Sequence, residues 1–480
     1  NEGIKMKLIF EKSSAGRKAV ELPKLDVPEK TDLIPTNMLR NELSLPELSE
    51  IDVMRHYTES SKKNFGVDNG FYPLGSCTMK YNPKINEDIS RLPGFTSIHP
   101  LAPESLNQGA LQLMYDLEKD LCEITGMSRF TLQPAAGSHG ELVGVMIIKK
   151  YFELKNENRT KILIPDSAHG TNPASAALCE FETIQIKSND GGCVDLEDLR
   201  KHMDKDVAGL MLTNPNTLGL SDKNILEIAK ILHDNGSLFY CDGANANAVV
   251  GVVKIADMGF DIVHLNLHKT FSAPHGIGGP GSGPVGVVKH LDDFLPVPLI
   301  DKNKDNYCLN YNLKNSIGQV RAFYGNFSVL VKAYTYVKSL GREGLPEVAK
   351  NAVLNANYLM SKLKKHFDLP YDTVCKHEFV LSDKGMPNHI TTIDIAKRLL
   401  DYGYHAPTIY FPLIVHGSIM IEPTETESKQ TMDEFADVMV KIRKEASENP
   451  ELLRNAPSTT PVKRLDTVLA ARKPVLKYEE

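Results

Sequence analysis

Residues 261–270 read DIVHLNLHKT, and this stretch decides how the fold is interpreted. Its first half is a short apolar run typical of a strand buried in a sheet. Lys269 follows the run directly, beside His268. An amine in so poorly solvated a position is favoured in its neutral form, and a neutral amine can form a Schiff base with a carbonyl compound. The alternative is a lysine that simply points into solvent from the end of the strand.

Short apolar strands alternate with helices through the middle of the chain. The candidate strands are residues 162–164, 210–212, 238–240 and 262–265. An amphipathic helix that starts near Ile225 and is closed by Gly236 separates two of them. Another helix, nearer the N-terminus, is expected to begin with a capping box at Ser105 and to end at Gly126. The alternation predicts a mostly parallel sheet with helices on both faces, an α/β fold.

The chain is predicted to contain four segments. Residues 1–100 are rich in proline and turn-forming residues and are interpreted as an N-terminal arm. A large domain is expected at residues 101–340, a smaller C-terminal α/β domain at 341–445 and a charged tail at 446–480.

Small and polar side chains follow the other predicted strands, and ligands of α/β sheets gather at the carboxyl ends of strands. Asp242 comes directly after the strand at 238–240. A carboxylate there can keep the pyridine nitrogen of a cofactor protonated, although it can also merely complete a turn. Ala136, Gly137 and Ser138 precede an apolar segment, where backbone N–H groups and the serine hydroxyl can close around a phosphate.

Two further groups complete this pattern. His169 follows the strand at 162–164 and can stack on a flat cofactor ring, or serve as an ordinary structural histidine. Thr213 and Asn214 follow the strand at 210–212 and can bond to a phenolic oxygen. Each group alone is a weak signal. Together they follow the chain order of fold-type-I pyridoxal-phosphate enzymes, which have the aspartate aminotransferase-like fold: phosphate cup, ring-stacking residue, ring-oxygen contact, aspartate, lysine.

Two other motifs are set aside. Residues 276–281 satisfy GxGxxG, but the apolar run that follows them predicts a strand, whereas dinucleotide binding requires a helix there. His264 and His268 have the spacing of metal ligands on a helix, yet they lie in a strand pattern without a third ligand nearby. We therefore expect neither a dinucleotide site nor a metal site.

The composition excludes several classes of function. The net charge of -6 offers no basic patch for nucleic acid or a membrane surface. No stretch reaches the roughly 18 uncharged apolar residues of a membrane-spanning helix, and the first residues lack the apolar run of a secretory signal. The 7 cysteines are dispersed without a CxxC pair, which is typical of free thiols in a reducing compartment. We expect a soluble, cytoplasmic protein.

Six specific motifs are spread over nearly the whole chain. They are GSCTMKYN (75–82), AGSHGE (136–141), HGTNPA (169–174), HLNLHKTF (264–271), LNANY (354–358) and EPTE (422–425). In combination they resemble the P-protein family of the glycine cleavage system. This family has a long single-chain form and a split, two-subunit form, and the length of this chain resembles the lysine-bearing subunit of the split form.

The resemblance implies a fold-type-I, pyridoxal-phosphate-dependent transferase fold and gives each candidate residue a role. Lys269 is then the catalytic Schiff-base lysine, and His268 bonds to the cofactor or assists proton transfer. The cofactor-binding residues that the resemblance implies are Ala136, Gly137, Ser138, His169, Thr213, Asn214, Asp242, Ala244, Asn266, His268 and Lys269. The sequence of residues 320–326 differs from that of the long-chain members of the family, so no substrate contact is assigned to this stretch.

The resemblance also implies an activity and partners. The reaction is that of the oxidoreductase glycine dehydrogenase (decarboxylating): glycine loses CO2 and its aminomethyl group passes to the lipoyl group of H-protein. A related subunit without the lysine is the expected partner, in an α2β2 heterotetramer.

Two rival interpretations remain at this point. The first is another fold-type-I enzyme, either an amino-acid decarboxylase or a cysteine desulfurase, which would need Cys308 as a catalytic residue on a mobile loop. The second is a non-catalytic scaffold subunit. Such a subunit would be expected to lack Lys269 or Asp242, and both are present.

Overall fold

The computed structural model describes residues 6–30 and 33–478. The chain divides into two compact units, one of residues 1–70 and 455–480 and the other of residues 71–454. The helices are α1 (Glu50–Lys62), α2 (Lys84–Ser90), α3 (Pro93–Thr96), α4 (Gln108–Thr125), α5 (Gly137–Leu154), α6 (Thr171–Leu178), α7 (Leu196–His202), α8 (Ile225–Asp234), α9 (Phe327–Leu363), α10 (Thr392–Asp401), α11 (Lys429–Glu448), α12 (Glu451–Arg454) and α13 (Thr467–Arg472). Within the described ranges, none of the helices is both long and apolar enough to cross a membrane.

Among residues 6–30 and 33–478, the strands all belong to the second unit and form three sheets. They are β1 (Arg129–Thr131), β2 (Lys161–Pro165), β3 (Glu182–Ile186), β4 (Val207–Thr213), β5 (Leu238–Gly243), β6 (Ile262–Leu265), β7 (Val285–Val287), β8 (Leu299–Asn303), β9 (Asn306–Asn310), β10 (Phe379–Ser382), β11 (Thr408–Ile409) and β12 (Ser418–Ile421).

The largest sheet has the strand order β1-β7-β6-β5-β4-β2-β3. Strands β2 to β6 run parallel to one another, whereas β7 runs antiparallel to β6 and β1 runs antiparallel to β7. The four strands predicted from short apolar runs are β2, β4, β5 and β6. The mostly parallel sheet is therefore confirmed.

Both faces of this sheet are buried, because successive side chains of one strand enter different hydrophobic cores. Leu210 and Phe239 pack in a cluster that includes residues of α4 and α8. Their neighbours Met211 and Tyr240 pack on the other face, in a cluster that includes residues of α5. A strand buried on both faces needs apolar residues at every position, which is why these strands read as continuous apolar runs.

A second, smaller sheet lies in the C-terminal part of this unit. Its three antiparallel strands have the order β10-β12-β11. Phe379 of β10 and Ile419 of β12 pack with Phe435 of α11 in a separate core cluster. The four-segment division predicted from the sequence stays a prediction.

The expected start of helix α4 is wrong, whereas its end is confirmed. Ser105 lies in a 3-10 turn at Glu104–Leu106, and the α-helix begins only at Gln108. The Gln108 side chain does not complete a capping box. Its Oε1 accepts from the Tyr307 amide at 2.8 Å, and its Nε2 donates to the carbonyls of Tyr307 at 2.8 Å and Glu104 at 2.9 Å. The helix ends at Gly126, whose φ of 77° is left-handed.

The unit of residues 1–70 and 455–480 contains a helix in a region expected to be irregular. Helix α1 begins with a capping box in which Ser49 and Asp52 bond reciprocally. Much of the remaining described chain in this unit is non-regular, as the proline content predicts.

A buried ammonium group joins distant segments of the second unit. The side chain of Lys80 is 1% exposed, and its Nζ donates to the Glu425 carboxylate at 2.7 Å. It also donates to the carbonyl of Thr270 at 2.7 Å and to the hydroxyl of Tyr336 at 3.0 Å. Because Thr270 follows Lys269, this ammonium group fixes the loop that carries the candidate lysine.

Removal of this ammonium group should destabilise the protein strongly. In Lys80→Met the aliphatic stem is largely kept, but Glu425 becomes a buried, unpaired charge, a change that typically costs about 3–5 kcal/mol. Urea unfolding should show this loss. The control Lys350→Met changes an exposed side chain on α9 and should alter the free energy of unfolding by less than about 1 kcal/mol. Equal losses in both variants would contradict the role given to Lys80.

Candidate active site

A cavity of about 240 Å³ opens at the carboxyl ends of β2, β4, β5 and β6. Segments far apart in the sequence supply its walls. The lining residues are Ser76, Ala136, Gly137, Ser138, Glu141, His169, Thr171, Thr213, Pro215, Asn216, Thr217, Asp242, Ala244, Asn245, Asn266, His268, Lys269, His377 and Glu378.

The register of the sheet places three polar side chains next to one another. Thr213 of β4 lies opposite Asp242 of β5, and Asp242 lies opposite His264 of β6. Asp242 is 3% exposed and His264 is fully buried. Because parallel strands end at the same edge of the sheet, three separate strand ends become one polar wall.

Asp242 is a buried acceptor with a fixed orientation. Its Oδ1 accepts a hydrogen bond from the Ala244 amide at 3.0 Å and lies 3.4 Å from Nε2 of His264. On the far side of the ring, Nδ1 of His264 lies 2.6 Å from the hydroxyl of Tyr240. Burial raises the pKa of Tyr240 and lowers the pKa of His264. The phenol therefore keeps its proton and donates to Nδ1 of the neutral ring, so the ring carries its own proton at Nε2, which has no hydrogen-bond partner in the described part of the chain.

The N-terminus of α5 forms another wall of the cavity. The helix begins at Gly137, after Ala136 in an extended conformation, so the amides of its first turn have no helical partners. The packing around them is close. A Cβ on Gly137 would lie 2.6 Å from Oδ1 of Asn266, and a Cβ on Gly283 would lie 2.0 Å from the carbonyl oxygen of Ala136. Ser138 in the first turn is exposed at the cavity.

Lys269 and His268 lie together in the cavity wall, both half-buried. Nδ1 of His268 accepts a hydrogen bond from the Ser282 amide at 3.2 Å. Burial, with a further contribution from His275, lowers the pKa of His268 to about 3. The ring is therefore uncharged at neutral pH, and it can act towards the cavity as a hydrogen-bond donor through Nε2.

Of the predicted cofactor-binding residues, Asn214 is the one that does not line the cavity. Its Oδ1 accepts from the Asp222 amide at 3.1 Å and its Nδ2 donates to the sulfur of Met258. Side chains alternate along an extended chain, so Thr213 and Asn214 point in different directions and only Thr213 reaches the cavity. His169 lies at the cavity edge with an exposed side chain.

Several buried acidic residues near the cavity were not found by sequence reasoning. Glu141 and Glu378 line the cavity and are 5% and 2% exposed, and Glu422 is fully buried behind them. The amide of Ser76 donates to Glu378 at 2.7 Å, and the amide of Thr78 donates to Glu422 at 2.9 Å. The sequence motifs contain Glu141, Glu422, Ser76 and Thr78. A motif alone, however, does not reveal which of its side chains are buried against those of another motif in the fold.

Asn326 was also missed, in the segment for which no contact was assigned. Its Nδ2 donates to the carbonyl of Gly281 at 2.6 Å and to that of Ala135 at 3.4 Å. It therefore ties the glycine-rich loop to the start of the phosphate cup.

Two protein families match parts of the chain. The family "Glycine dehydrogenase, C-terminal domain" matches residues 348–458, and "Aminotransferase class-V" matches residues 144–279, which include β2 to β6 and Lys269. Among solved structures, an inhibitor-bound glycine decarboxylase (P-protein) of the glycine cleavage system is similar with a TM-score of 0.74 at 19% identity, over 85% of this chain and 93% of that chain.

Two other solved structures are similar at the level of the fold. A glutamate decarboxylase from Lactobacillus brevis has a TM-score of 0.64 at 14% identity, over 92% of this chain and 98% of its own. A cysteine desulfurase from Thermococcus onnurineus has a TM-score of 0.61 at 16% identity, over 79% and 97%. The fold and the site together define a fold-type-I, pyridoxal-phosphate-dependent enzyme.

Curated relatives give a closer assignment. A protein of Caldanaerobacter subterraneus named "Probable glycine dehydrogenase (decarboxylating) subunit 2" is 61% identical over 476 residues, which cover 98% of each chain. Proteins of the same name from Fervidobacterium nodosum and Bacillus cytotoxicus are each 59% identical, over 98% of this chain and 100% and 97% of their own lengths. The chain belongs to the glycine dehydrogenase (decarboxylating) subunit 2 family.

The cavity fits the chemistry of pyridoxal phosphate. A phosphate dianion suits the free amides at the start of α5, and a protonated ring nitrogen suits the buried carboxylate of Asp242. Two buried polar atoms in the cavity wall, Oγ1 of Thr213 and Oδ1 of Asn266, have no hydrogen-bond partner in the described part of the chain. A polar ligand in the cavity would give them partners.

The positions of Cys308 and of the GxGxxG motif bear on the rival interpretations and the rejected motifs. Cys308 lies in strand β9 of a hairpin, with its Sγ 3.6 Å from the Asp301 carbonyl, and does not line the cavity. The expectation that Cys308 could be the catalytic cysteine of a desulfurase is therefore wrong. The GxGxxG motif is followed by strand β7, so its rejection as a dinucleotide site is confirmed. The expectation that no metal binds stays a prediction.

A methyl group on Gly283 should weaken cofactor binding. In Gly283→Ala the new Cβ would overlap the backbone of Ala136, and overpacking of this kind typically costs about 1–3 kcal/mol. The clash displaces Ala136 at the start of the predicted phosphate cup (residues 136–138). The dissociation constant for pyridoxal phosphate should therefore rise roughly tenfold or more, measured by absorbance titration. Gly278→Ala in the same loop, where a Cβ meets nothing within 4 Å, is the matched control. Equal affinities of the two variants would contradict this description of the cup.

Glu141 should make the stability of the cofactor-free protein depend on pH near neutrality. Burial, reinforced by the charge of Asp242, raises its pKa from the usual 4.5 to about 7. A raised folded-state pKa contributes stability that is complete below pH 4.5 and is lost as the pH rises through 7. As the pH rises from about 5 to 8, the free energy of unfolding of Glu141→Gln should therefore fall less than that of the wild type, measured by urea unfolding. The exposed control Glu434→Gln should follow the wild type, and an unchanged slope in Glu141→Gln would refute the prediction.

Proposed function

We propose that this chain is the catalytic subunit of a glycine decarboxylase. It removes CO2 from glycine and transfers the remaining aminomethyl group to the lipoyl group of H-protein, the activity of glycine dehydrogenase (decarboxylating). The observation that carries this proposal is the cavity at the sheet edge, which Lys269, Asp242 and the free N-terminus of α5 share. The membership of the family supports the choice of glycine as substrate.

The cavity residues would hold pyridoxal phosphate at three points. The first-turn amides of α5 and the hydroxyl of Ser138 bind the phosphate, Asp242 pairs with the ring nitrogen, and Lys269 binds covalently through its amine. His169 and Ala244 would cover the ring faces, and Thr213, Asn266 and His268 would bond to its polar groups. When bound, the cofactor supplies an electron sink for the pair that glycine releases as it loses its carboxyl group.

The chain's own residues orient the reactants and control protons. The Ala244 amide donates to Oδ1 of Asp242 at 3.0 Å and fixes the orientation of this carboxylate, and the neutral ring of His264 packs 3.4 Å from it. In this orientation the carboxylate would lie opposite the ring nitrogen. The neutral ring of His268 donates a hydrogen bond without bringing a second positive charge beside Lys269.

The proposed partners follow from the same function. The name shared by the relatives designates a second subunit, and we infer a related, lysine-lacking first subunit as partner, in an α2β2 heterotetramer. Lipoylated H-protein is the second substrate. Seven dispersed thiols, 4 of them buried and 3 partly buried, accord with a reducing compartment, and we place the enzyme in the cytoplasm.

Substitution of Lys269 tests this function. The full chain, co-expressed with the first subunit, should show a visible absorbance band of lysine-bound cofactor and should exchange the glycine carboxyl group with bicarbonate when H-protein is present. Lys269→Ala should lose the band, and its exchange rate should fall at least about a hundredfold, because both attachment of the cofactor and proton transfer by the amine are removed. The control Lys254→Ala changes an exposed lysine that pairs with Glu123 and should keep both. A band that survives in Lys269→Ala would refute the proposal.

A further inference from the structure

A compact cluster of titratable groups lies in the part of the cavity that faces the C-terminal sheet. His377, Glu378 and Glu422 each place one side-chain atom within 4.8 Å of the other two, and all three are buried. His377 and Glu378 line the cavity, as Lys269 does. None of the proposed cofactor contacts uses these three residues.

The two carboxyl groups of the cluster are not equivalent. Glu422 accepts four hydrogen bonds, two from Thr78 at 2.8 and 2.9 Å and two from Asn245 at 3.0 and 3.1 Å. Glu378 accepts one, from the amide of Ser76 at 2.7 Å. Several donors stabilise an ionised carboxylate, whereas a buried carboxyl group with one donor and a negative neighbour is more stable in its protonated form. Burial raises the pKa of both groups, but the donors of Glu422 oppose this rise, whereas the pKa of Glu378 lies well above its usual value. Glu422 is therefore the group of the pair that ionises first, and Glu378 is the one that keeps its proton.

The groups around Glu378 keep its proton in place. The titratable groups that interact with it are Glu422, His377, Cys77, Cys375 and Lys269. Burial and then the charge of Glu422 raise the pKa of Glu378 well above its usual value, against a smaller opposing effect of Lys269. Burial lowers the pKa of His377 to about 3, so this ring is neutral.

His377 supplies a route for the proton. Its Nε2 lies 3.6 Å from Oε1 of Glu378, and both of its ring nitrogens are buried without a hydrogen-bond partner in the described part of the chain. A neutral imidazole with two unpaired nitrogens can accept a proton at one and release a proton from the other. A protonated acid beside such a ring, in the wall of a reaction cavity, is arranged for proton delivery rather than for charge pairing.

The proposed function contains a step that needs such an acid, and the inference rests on that function. As CO2 leaves glycine, the electron pair of the broken carbon–carbon bond forms a carbon–sulfur bond to one lipoyl sulfur. The sulfur–sulfur bond breaks, and its electron pair goes to the other sulfur. We propose that Glu378 is the catalytic acid that protonates this departing sulfur. Glu378 is left ionised and regains a proton from solvent through His377, so atoms and charges balance and the disulfide is the only group that is reduced.

The test compares Glu378→Gln with the wild type, as full chains in complex with the first subunit. The amide has nearly the same size but no acidic proton. In a rapid-quench single turnover with glycine, the free thiol of the H-protein lipoyl group should form about 10²–10⁴-fold more slowly. The wild-type rate should fall as the pH rises through the pKa of the acid, and this decline should be absent from the variant. The visible band of the bound cofactor and its dissociation constant should not change.

A second readout does not depend on activity. In the full chain without cofactor, infrared spectra should contain a carboxylic acid C=O stretch that Glu378→Gln lacks and that the exposed control Glu434→Gln keeps. Glu378→Asp retains an acid of shorter reach, so it should keep the stretch and form the thiol faster than Glu378→Gln. This variant also maintains the test if the amide variant fails to fold.

The outcomes separate this inference from the proposed function. If the wild type forms no H-protein thiol from glycine, the proposed function itself fails. If the wild type reacts and Glu378→Gln reacts at the same rate with the same pH profile, Glu378 is not the acid. A variant that only raises the KM for glycine, with an unchanged single-turnover rate at saturation, would also overturn the proposal, because it would make Glu378 a substrate-binding residue.

Discussion

Buried negative charge around one lysine is the constraint on which the architecture of the site depends. Asp242, Glu378 and Glu422 are each no more than 3% exposed, and they surround the cavity that Lys269 lines. A buried carboxyl group is stable only when it is paired, well supplied with donors or protonated. The structure meets this requirement differently for each group: Asp242 accepts a hydrogen bond from the Ala244 amide, Glu422 accepts four hydrogen bonds, and Glu378 retains its proton.

Donors for Glu378 and Glu422 come from a segment far away from both in the sequence. Residues 75–82 contribute the amides of Ser76 and Thr78, both of which have a positive φ, 65° and 51°. Non-glycine residues adopt this conformation at a cost, and two of them in three residues persist only where the surroundings hold the backbone in place. Lys80, in the same segment, provides such an anchor through its bonds to Glu425 and Thr270. One short segment therefore links the acidic cluster, the lysine loop and the C-terminal part of the unit.

Features of the fold that depend on one short stretch of chain could be predicted from the sequence, whereas features that depend on contacts between distant residues could not. Local apolar runs predict the strands, and each run lies in a single chain segment. Because parallel strands end at the same edge of a sheet, the same runs also predict that edge and the position of Lys269 at it. Asn214 illustrates a limit, because its direction depends on where β4 ends, a detail of one residue. Glu378 illustrates another limit, because its significance arises only from contacts with Ser76 and Glu422, which are far from it in the chain and have no shared pattern.

The most direct test of this account is to determine which lysine carries the cofactor. The complex of the full chain and its partner subunit, loaded with pyridoxal phosphate, can be reduced with borohydride, digested and mapped by mass spectrometry. The account predicts that the reduced pyridoxyl phosphate group lies on Lys269, and that treatment with glycine before reduction removes the label from this residue. A label on Lys80 or on any other lysine, or a label on Lys269 that glycine does not displace, would contradict the assignment of the active site.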